Sequence, residues 1–407
     1  MSNRYAKSYE IFEKAKQIIP GGVTKARVPH VPGRYPVYAD KAEGAYVWDV
    51  DGNKYIDWMC GYGCILLGHR YKPVDNAAKA QIDKTFMTFL ASPVQNTLAE
   101  MLIADIPSAE MVRFCKSGTD ATSGAVRIAR IYTGRDKIVR WGYHGWADWA
   151  VSNFHGFDVG VPQVVRDLTL TFEYNNIDSL QKVFDANKGQ IACLIMMPFE
   201  TELPKPGFLE KAKEICHKNG AVFIMDEVRS SYRMALGGAQ EYYKVTPDVT
   251  ALSKSMANGY SIGGIVGKKE IMEVITKGLF SATFFVSTLE MAAAIATINI
   301  IRNEPVIKHI WDIGEKLQKG LKGAVEGKGV NVKVVGAPPM PFVQFNLEDK
   351  EQNEKFKMEF YAEVAANGVY FHPNHHWFVS YSHTQEHVNR TVEVCEKALK
   401  KAISICC

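Results

Sequence analysis

Six short apolar runs between residues 66 and 300, separated by longer helix-like segments, limit the folds open to this 407-residue chain. They read "MVRFCKSG", "DKIVRW", "IACLIMMP", "AVFIMDE", "DVTALSK" and "IGGIVGK". Strands that are apolar all round must be covered on both faces, and strands alternating with helices pair in parallel. The expectation is an α/β fold, a mostly parallel central sheet with helices on both faces. Ahead of it, "GAYVWDVDGNKYIDW" alternates apolar and polar residues about Asp51-Gly52, a hairpin signature. After "IATINIIRNEP" the style changes to mixed helix and strand, with "NVKVVG", "FVQFNL", "GVYFHP" and "WFVSYSHT". Three segments are therefore expected: an N-terminal one (1–65) packing with a smaller C-terminal α+β domain (311–407), and a large domain (66–310).

Open parallel sheets bind ligands beyond the carboxyl ends of their strands, and three of those ends carry unusual chemistry. In "RFCKSGTDATSGAVRIAR" a strand stops at Ser117-Gly118-Thr119 and a helix begins near Asp120. Amides at a helix start, with a glycine allowing close approach and hydroxyls beside it, suit a phosphate. The same residue types are also ordinary helix caps. No GxGxxG follows a strand, and "GGIVGKK" lacks the spacing and hydroxyl of GxxxxGK[ST], which speaks against dinucleotide and nucleoside triphosphate loops. In "AVFIMDEV", Asp226 and Glu227 follow an apolar strand directly, although carboxylates are rarely buried without a partner. In "DVTALSKSMANG", Lys254 ends a strand among Ser253, Ser255 and Ala257. Two readings are open: Asp226 and Lys254 form a buried salt bridge, or both contact one cofactor. A lysine stripped of hydration is an amine able to form a Schiff base with an aldehyde. Phosphate, aldehyde and a ring nitrogen needing a carboxylate together describe pyridoxal phosphate (pyridoxal 5'-phosphate, PLP).

The order and spacing of "IFEKAKQIIPGGV", "GAYVWDVDGNKYIDW", "LLGH", "SGTDA", "RIARIYTGRDKI", "YHG", "KPGFLE", "MDEV", "GGAQEYYKVTPD", "LSKSMANG" and "SHT" cover nearly the whole chain. In this the chain resembles the class III, fold-type I PLP-dependent aminotransferase family, and within it the glutamate-1-semialdehyde aminomutase group. The resemblance implies that Lys254 holds the cofactor aldehyde as a Schiff base and that Asp226 pairs with the protonated pyridine nitrogen. It implies that Val228 packs under one ring face and that Tyr143 stacks on the other, with His144 nearby. Ser117, Gly118 and Thr119 become the phosphate cradle. Thr283, in "FSATFF", matches a threonine that reaches the phosphate from a neighbouring subunit, which implies a homodimer. Lys254, Asp226 and Tyr143 are the expected catalytic residues. Glu227 is given a structural role, bonded to Arg233.

The chain also departs from the aminomutase pattern. Gly61-Tyr62-Gly63 stands where a Ser-Trp-Gly stretch is expected, His375 aligns with a substrate-loop glutamate, and Met197-Pro198 replaces a Glu-Pro. Glu200, in the shortened "FETELPKPG", is the nearest compensating carboxylate. The resemblance places Arg27 on a carboxylate-binding arginine. With Tyr62, Trp146, Trp149, His375, His376 and Trp377 as aromatic and imidazole lining, these residues make the expected substrate pocket, although tryptophans serve equally as core. The expected activity is an aminotransferase moving an amino group between an amino-acid donor and a small keto or sugar-derived carbonyl acceptor. The alternatives are an intramolecular aminomutase or an amino-acid epimerase on the same cofactor. A non-catalytic PLP-holding binding protein is disfavoured by the intact Lys254, and a nucleotide-dependent dehydrogenase by the missing fingerprint.

The remaining features set boundaries. A net charge of +4, from 48 basic and 44 acidic residues, suggests neither a nucleic-acid nor a membrane partner and leaves small-molecule substrates. No DNA-binding helix-turn-helix or basic arm is evident. "MSNRYAKSYEIFEKAKQIIPGG" lacks the apolar core of a signal peptide, and no apolar run nears the roughly 20 residues of a spanning helix, so a cytoplasmic protein is expected. The eight cysteines show no metal-ligand spacing with histidine, and ordinary reduced thiols are expected.

Overall fold

In the computed structural model the chain divides into two compact units, Met1–Tyr71 with Lys308–Cys407, and Lys72–Ile307. The structure describes residues 3–24 and 31–406. In chain order the strands are β1 (Ala39–Glu43), β2 (Tyr46–Asp49), β3 (Lys54–Asp57), β4 (Met111–Cys115), β5 (Lys137–Trp141), β6 (Thr169–Thr171) and β7 (Ile191–Met196). They continue with β8 (Val222–Asp226), β9 (Val249–Leu252), β10 (Gly263–Gly267), β11 (Val332–Val335), β12 (Phe342–Phe345) and β13 (Val369–Tyr370).

Unit 72–307 is built on a seven-stranded sheet of order β4-β10-β9-β8-β7-β5-β6. The six apolar runs supply every strand except β6, a three-residue edge strand too short to carry a periodic signal. Strands β6, β5, β7, β8 and β9 pair in parallel, while β10 runs antiparallel to both β9 and β4. The reversal follows from the connection: residues 253–262 are too few for a helical crossover, so β10 returns beside β9. Gly263 permits that return, since a Cβ there would meet the Ser117 carbonyl oxygen at 2.6 Å. Strands β7 and β8 are buried along their whole length. Helix Gly118–Thr133 lays Ala121, Ala125, Ile128 and Ala129 into a core with Ile138, Cys193, Ile195, Ile224, Val249 and Ile265. Each isoleucine so covered contributes roughly 1.5–3 kcal/mol. This packing fixes the start of that helix against the carboxyl ends of the strands.

Unit 1–71 with 308–407 contains the hairpin expected at Asp51-Gly52, with β2 and β3 antiparallel and Tyr46 opposite Ile56. Asp49 sets the turn by accepting from the amides of Asp51 (3.1 Å) and Asn53 (2.8 Å) and from the Tyr55 hydroxyl (2.6 Å). The four-stranded sheet runs β1-β2-β3-β13, its last pair parallel. Strands β11 and β12 form a separate antiparallel ribbon. "WFVSYSHT" is not a strand. Its amides go to separate carbonyls, Trp377 to Pro341 (3.0 Å), Phe378 to Trp58 (2.7 Å), Val379 to Pro339 (3.1 Å) and Tyr381 to Leu66 (2.7 Å). Buried extended backbone satisfies itself here without a ladder.

Residues Cys60–Gly63 form a single left-handed turn, with φ of 47°, 59°, 60° and 85° in succession. Such a conformation costs a non-glycine residue about 1–2 kcal/mol, so Cys60 and Tyr62 must be held in it. Asp57 accepts from the amides of Met59 (2.8 Å) and Cys60 (3.2 Å), and Gly63 lies so close to the Phe378 ring that a Cβ would sit 2.5 Å from it. Among the described residues no helix is long and apolar enough to cross a membrane.

Candidate active site

The sheet register gathers the expected residues of unit 72–307. Asp226 lies beside Ala251, Met225 beside Met196 and Met196 beside Trp141, so β5, β7, β8 and β9 all end on one edge. The residues following those ends are Gly142-Tyr143-His144, Met197, Glu227-Val228 and Lys254. Strand β4 runs in the same sense, through the antiparallel β10, and adds Ser117-Gly118-Thr119. Segments distant in sequence become neighbours because parallel strands present their carboxyl ends together.

Asp226, only 4% exposed, is the centre of this edge. Its Oδ2 lies 2.7 Å from His144 Nδ1, and its Oδ1 accepts the Val228 amide across 3.0 Å. His144 is itself 2% exposed, and its Nε2 is buried without a hydrogen-bond partner. The imidazole is fixed from two further sides. Thr122 Oγ1 donates to the His144 carbonyl (2.7 Å), and the Trp149 ring lies nearly parallel at 5.9 Å, its Nε1 donating to Ser123 Oγ (3.1 Å). The carboxylate is thus held at a set angle with accepting capacity left on both oxygens.

Ser117 is the N-cap of helix Gly118–Thr133, its Oγ accepting from the Asp120 amide (3.1 Å) and donating to Asp120 Oδ2 (2.8 Å). The amides of Gly118 and Thr119 fall in the first turn, where no intrahelical acceptor exists. A Cβ on Gly118 would meet Val228 Cγ1 at 2.7 Å, and one on Gly145, at φ +110°, would meet Thr119 Oγ1 at 2.2 Å. The two glycines therefore let Val228 and Thr119 close on the helix start, where a side chain at either position would push them away. Tyr143 is 48% exposed and has its hydroxyl pKa raised by partial burial of the ring.

Lys254 opens the short helical turn Lys254–Ala257 and is partly buried. Its φ of +46° is unusual for a residue with a side chain. Strain of this kind, of order 1–3 kcal/mol, collects at functional positions. Two places away along the sheet, Met197 takes the expected glutamate's position as an apolar filler. Its Sδ accepts the Tyr143 amide (3.3 Å) and closes on Gly142, where a Cβ would sit 2.7 Å away. Arg229 is buried and donates to the Phe199 carbonyl; burial lowers its pKa, and Glu200 and Asp226 oppose that drop. Glu227 accepts from Ser230 Oγ (2.8 Å) and from the amides of Ala239 and Gln240, capping helix Ala239–Tyr242. Burial raises its pKa against the pull of these bonds.

The substrate residues named from sequence are distributed over both units. In unit 1–71 with 308–407, Tyr62 rides on the left-handed turn with its ring edge-on to His375 at 4.9 Å, and His372, which sequence reasoning missed, stands 5.7 Å from it. Trp377 is fully buried, stacked on Phe371 at 3.5 Å, and fills core; His376 is buried against Phe342. In unit 72–307 Trp146 is 77% exposed, and Thr283 is exposed in the turn Thr283–Val286. Arg27 lies outside the described residues. Among the described residues no cluster of histidine, cysteine and carboxylate groups could hold a metal ion.

The class-III aminotransferase family model matches residues 29–399. The chain belongs to the class III aminotransferases. It is 40% identical to the 3-aminobutyryl-CoA aminotransferase of Cloacimonas acidaminovorans (strain Evry) over 97% of both chains. It is 36% identical to the glutamate-1-semialdehyde 2,1-aminomutase of Geotalea daltonii over 97% of this chain and 99% of that one. Its fold superimposes on the FumI protein of Sphingopyxis sp. MTA144, solved in its PLP internal aldimine form, with a TM-score of 0.92, 30% identity and coverage of 98% and 97%. A class III aminotransferase uses pyridoxal phosphate in a fold-type I scaffold. The residues present fit that group: a buried carboxylate oriented by an imidazole, and first-turn amides of helix Gly118–Thr133 beside Val228 and Thr119, which two glycines allow to pack closely.

Proposed function

We propose that this class III aminotransferase moves an amino group between a short 3-amino acyl thioester and a keto acid. The observation that carries this reading is the 40% identity to a 3-aminobutyryl-CoA aminotransferase across 97% of both chains, above the 36% and 34% found with aminomutases. Support comes from unit 1–71 with 308–407. Two of the positions where this chain departs from the aminomutase pattern, Tyr62 and His375, are in ring contact at 4.9 Å.

Bound pyridoxal phosphate supplies an electron sink for the pair released when the C–H bond beside the amine breaks. In this reading Lys254 would be the amine that holds the cofactor aldehyde, and its side-chain amine would move a proton at the substrate carbon. Asp226, held by His144 at 2.7 Å, would face the pyridine nitrogen and favour its protonated form. The amides of Gly118 and Thr119 bind the phosphate, with Ser117 setting the helix start. Val228 and Tyr143 would cover the two ring faces. Arg27, Trp146, Tyr62 and His375 are assigned to substrate.

A homodimer is part of the proposal. Leu279 and Phe284 flank Thr283 in the open, and Thr288, whose amide bonds the Phe86 carbonyl (2.9 Å), brings the exposed Phe89 and Leu90 segment alongside. Thr283 would reach the neighbouring subunit's phosphate. The seven described cysteines are free thiols, which suits the cytoplasm.

The test is a half-reaction. Purified holoenzyme mixed with 3-aminobutyryl-CoA alone should release 3-oxobutyryl-CoA in one equivalent and leave the cofactor in its amino form. Release of no oxo product from this compound, with turnover of glutamate 1-semialdehyde instead, would replace the reading by the aminomutase one.

A further inference from the structure

The loop carrying Tyr143 and His144 is tied down by a side chain that has no place in the reaction. Arg140, in β5, is 3% exposed. Its Nε and Nη2 donate to the Ser152 carbonyl at 3.2 and 2.6 Å, and its Nη1 donates to the Gly142 carbonyl at 3.1 Å. The Phe154 ring lies 5.3 Å from its guanidinium carbon. These hydrogen bonds all go to backbone carbonyls. Burial lowers the pKa to about 10, which leaves the group charged at neutral pH. A buried cation is costly unless it is fully hydrogen-bonded, and a salt bridge would neutralise it more directly. Three bonds to two carbonyls instead close a span from Gly142 to Ser152, the cap of helix Asp148–Val151. Within that span lie Tyr143, His144, Trp146 and Trp149. Thr122 secures the same loop one residue past Tyr143, at the His144 carbonyl.

We propose that Arg140 is a positioning residue for the cofactor-facing loop: its forked guanidinium fixes the Gly142 and Ser152 carbonyls, and through them the Tyr143 ring and the His144–Asp226 pair. The proposal rests on the reading that Asp226 and Tyr143 face the pyridoxal ring. Lysine keeps the charge but loses the fork, so geometry and charge can be separated.

The experiment compares holoenzyme and Arg140→Lys by titrating pyridoxal phosphate into resolved protein and following the pH midpoint of the bound cofactor's visible band. Arg140→Lys should raise the cofactor Kd about tenfold, the equivalent of one charge-assisted hydrogen bond, and move the band midpoint. Because part of the effect passes through the His144–Asp226 pair, Arg140→Lys made in a His144→Ala background should weaken binding by less than the tenfold seen in the single variant. Thr122→Val, which loosens the loop from its other side, should weaken binding and shift the midpoint in the same direction, and it stands in if Arg140→Lys does not fold. An unchanged Kd and midpoint in the folded variant, or fully additive effects with His144→Ala, would overturn the proposal while leaving the functional reading intact. A wild-type protein that takes up no pyridoxal phosphate would overturn both.

Discussion

Two buried histidines, one in each compact unit, receive opposite roles from their neighbours. Each has an Nε2 shut away from solvent without a partner. His144 turns Nδ1 toward the Asp226 carboxylate at 2.7 Å. His383 turns Nδ1 toward a donor instead: the Ser380 amide lies at 2.9 Å, with the Ser380 hydroxyl at 3.0 Å, and the ring stacks flat on Trp58 at 3.9 Å. A nitrogen that accepts an amide N–H carries no proton, so His383 is neutral, and burial pushes its pKa down to about 3. A nitrogen facing a carboxylate donates to it. The first arrangement orients a charged group at the strand ends; the second is packing with one polar tie. Burial alone therefore does not mark a functional histidine. The partner at Nδ1 is what distinguishes the two rings.

The largest effect expected on the catalytic side of this comparison belongs to Lys254→Ala. Under the proposed function, transamination with 3-aminobutyryl-CoA as the test donor should fall at least about 10³-fold, while non-covalent cofactor binding should persist. Normal turnover in that variant would remove the chemistry to which His144 contributes. Next, His144→Ala should lower kcat/KM by roughly 10–100-fold, whereas His383→Ala should leave activity per folded molecule within about twofold and cost on the order of 3 kcal/mol of stability. Urea unfolding and initial rates on the same preparations separate the two. A His383 variant that folds normally and loses activity would break the distinction.

The contrast also shows what a sequence can announce. The "SGTDA", "YHG", "MDEV" and "LSKSMANG" segments could be placed at strand ends because apolar runs precede them, and strand ends in parallel sheets converge. The direction of β10 could not be read, since "IGGIVGK" looks alike in either sense and only the short 253–262 connection decides it. Arg140 and Thr122 were equally invisible. Arg140 is one charge inside the apolar run "DKIVRW" and shows no partner until Ser152 is brought against it, and Thr122 reads as an ordinary helix residue until the loop after β5 folds onto it. The left-handed turn at Cys60–Gly63 was hidden too. "CGYGC" advertises flexibility through its glycines, but Tyr62 adopts a positive φ only because Asp57 and Phe378 clamp the turn, and both act from outside the segment.

A smaller and distinctive effect is the pH dependence of stability. The folded-state pKa of His383 lies below its unfolded value of about 6.5, so the unfolded chain binds the proton more readily. The contribution of the neutral ring is complete above pH 6.5 and is lost progressively as pH falls toward 3, by up to about 1.4 kcal/mol per pH unit. Between pH 8 and pH 5 the wild type should lose about 2 kcal/mol from this ring. His383→Phe, which cannot protonate, should show a correspondingly flatter profile of urea midpoint against pH. Identical profiles would mean that another group governs acid stability.

The smallest expected effect, a coupling between two variants, tests whether the Trp58–His383 stack is packing alone. Trp58 is fully buried, and its Nε1 donates to Thr391 Oγ1 at 2.9 Å. Thr391 is buried as well, so removing the hydroxyl leaves an indole N–H without an acceptor in a dry interior. Thr391→Val keeps the side-chain volume and deletes only that acceptor, and should cost about 1–3 kcal/mol. The His383 ring lies on the indole that the bond holds in place. If the stack depends on that hold, Thr391→Val and His383→Phe will be non-additive in unfolding free energy. Additive losses would show instead that the indole is fixed by surrounding apolar contacts, and that the stack is a consequence of core packing rather than of the hydrogen bond beneath it.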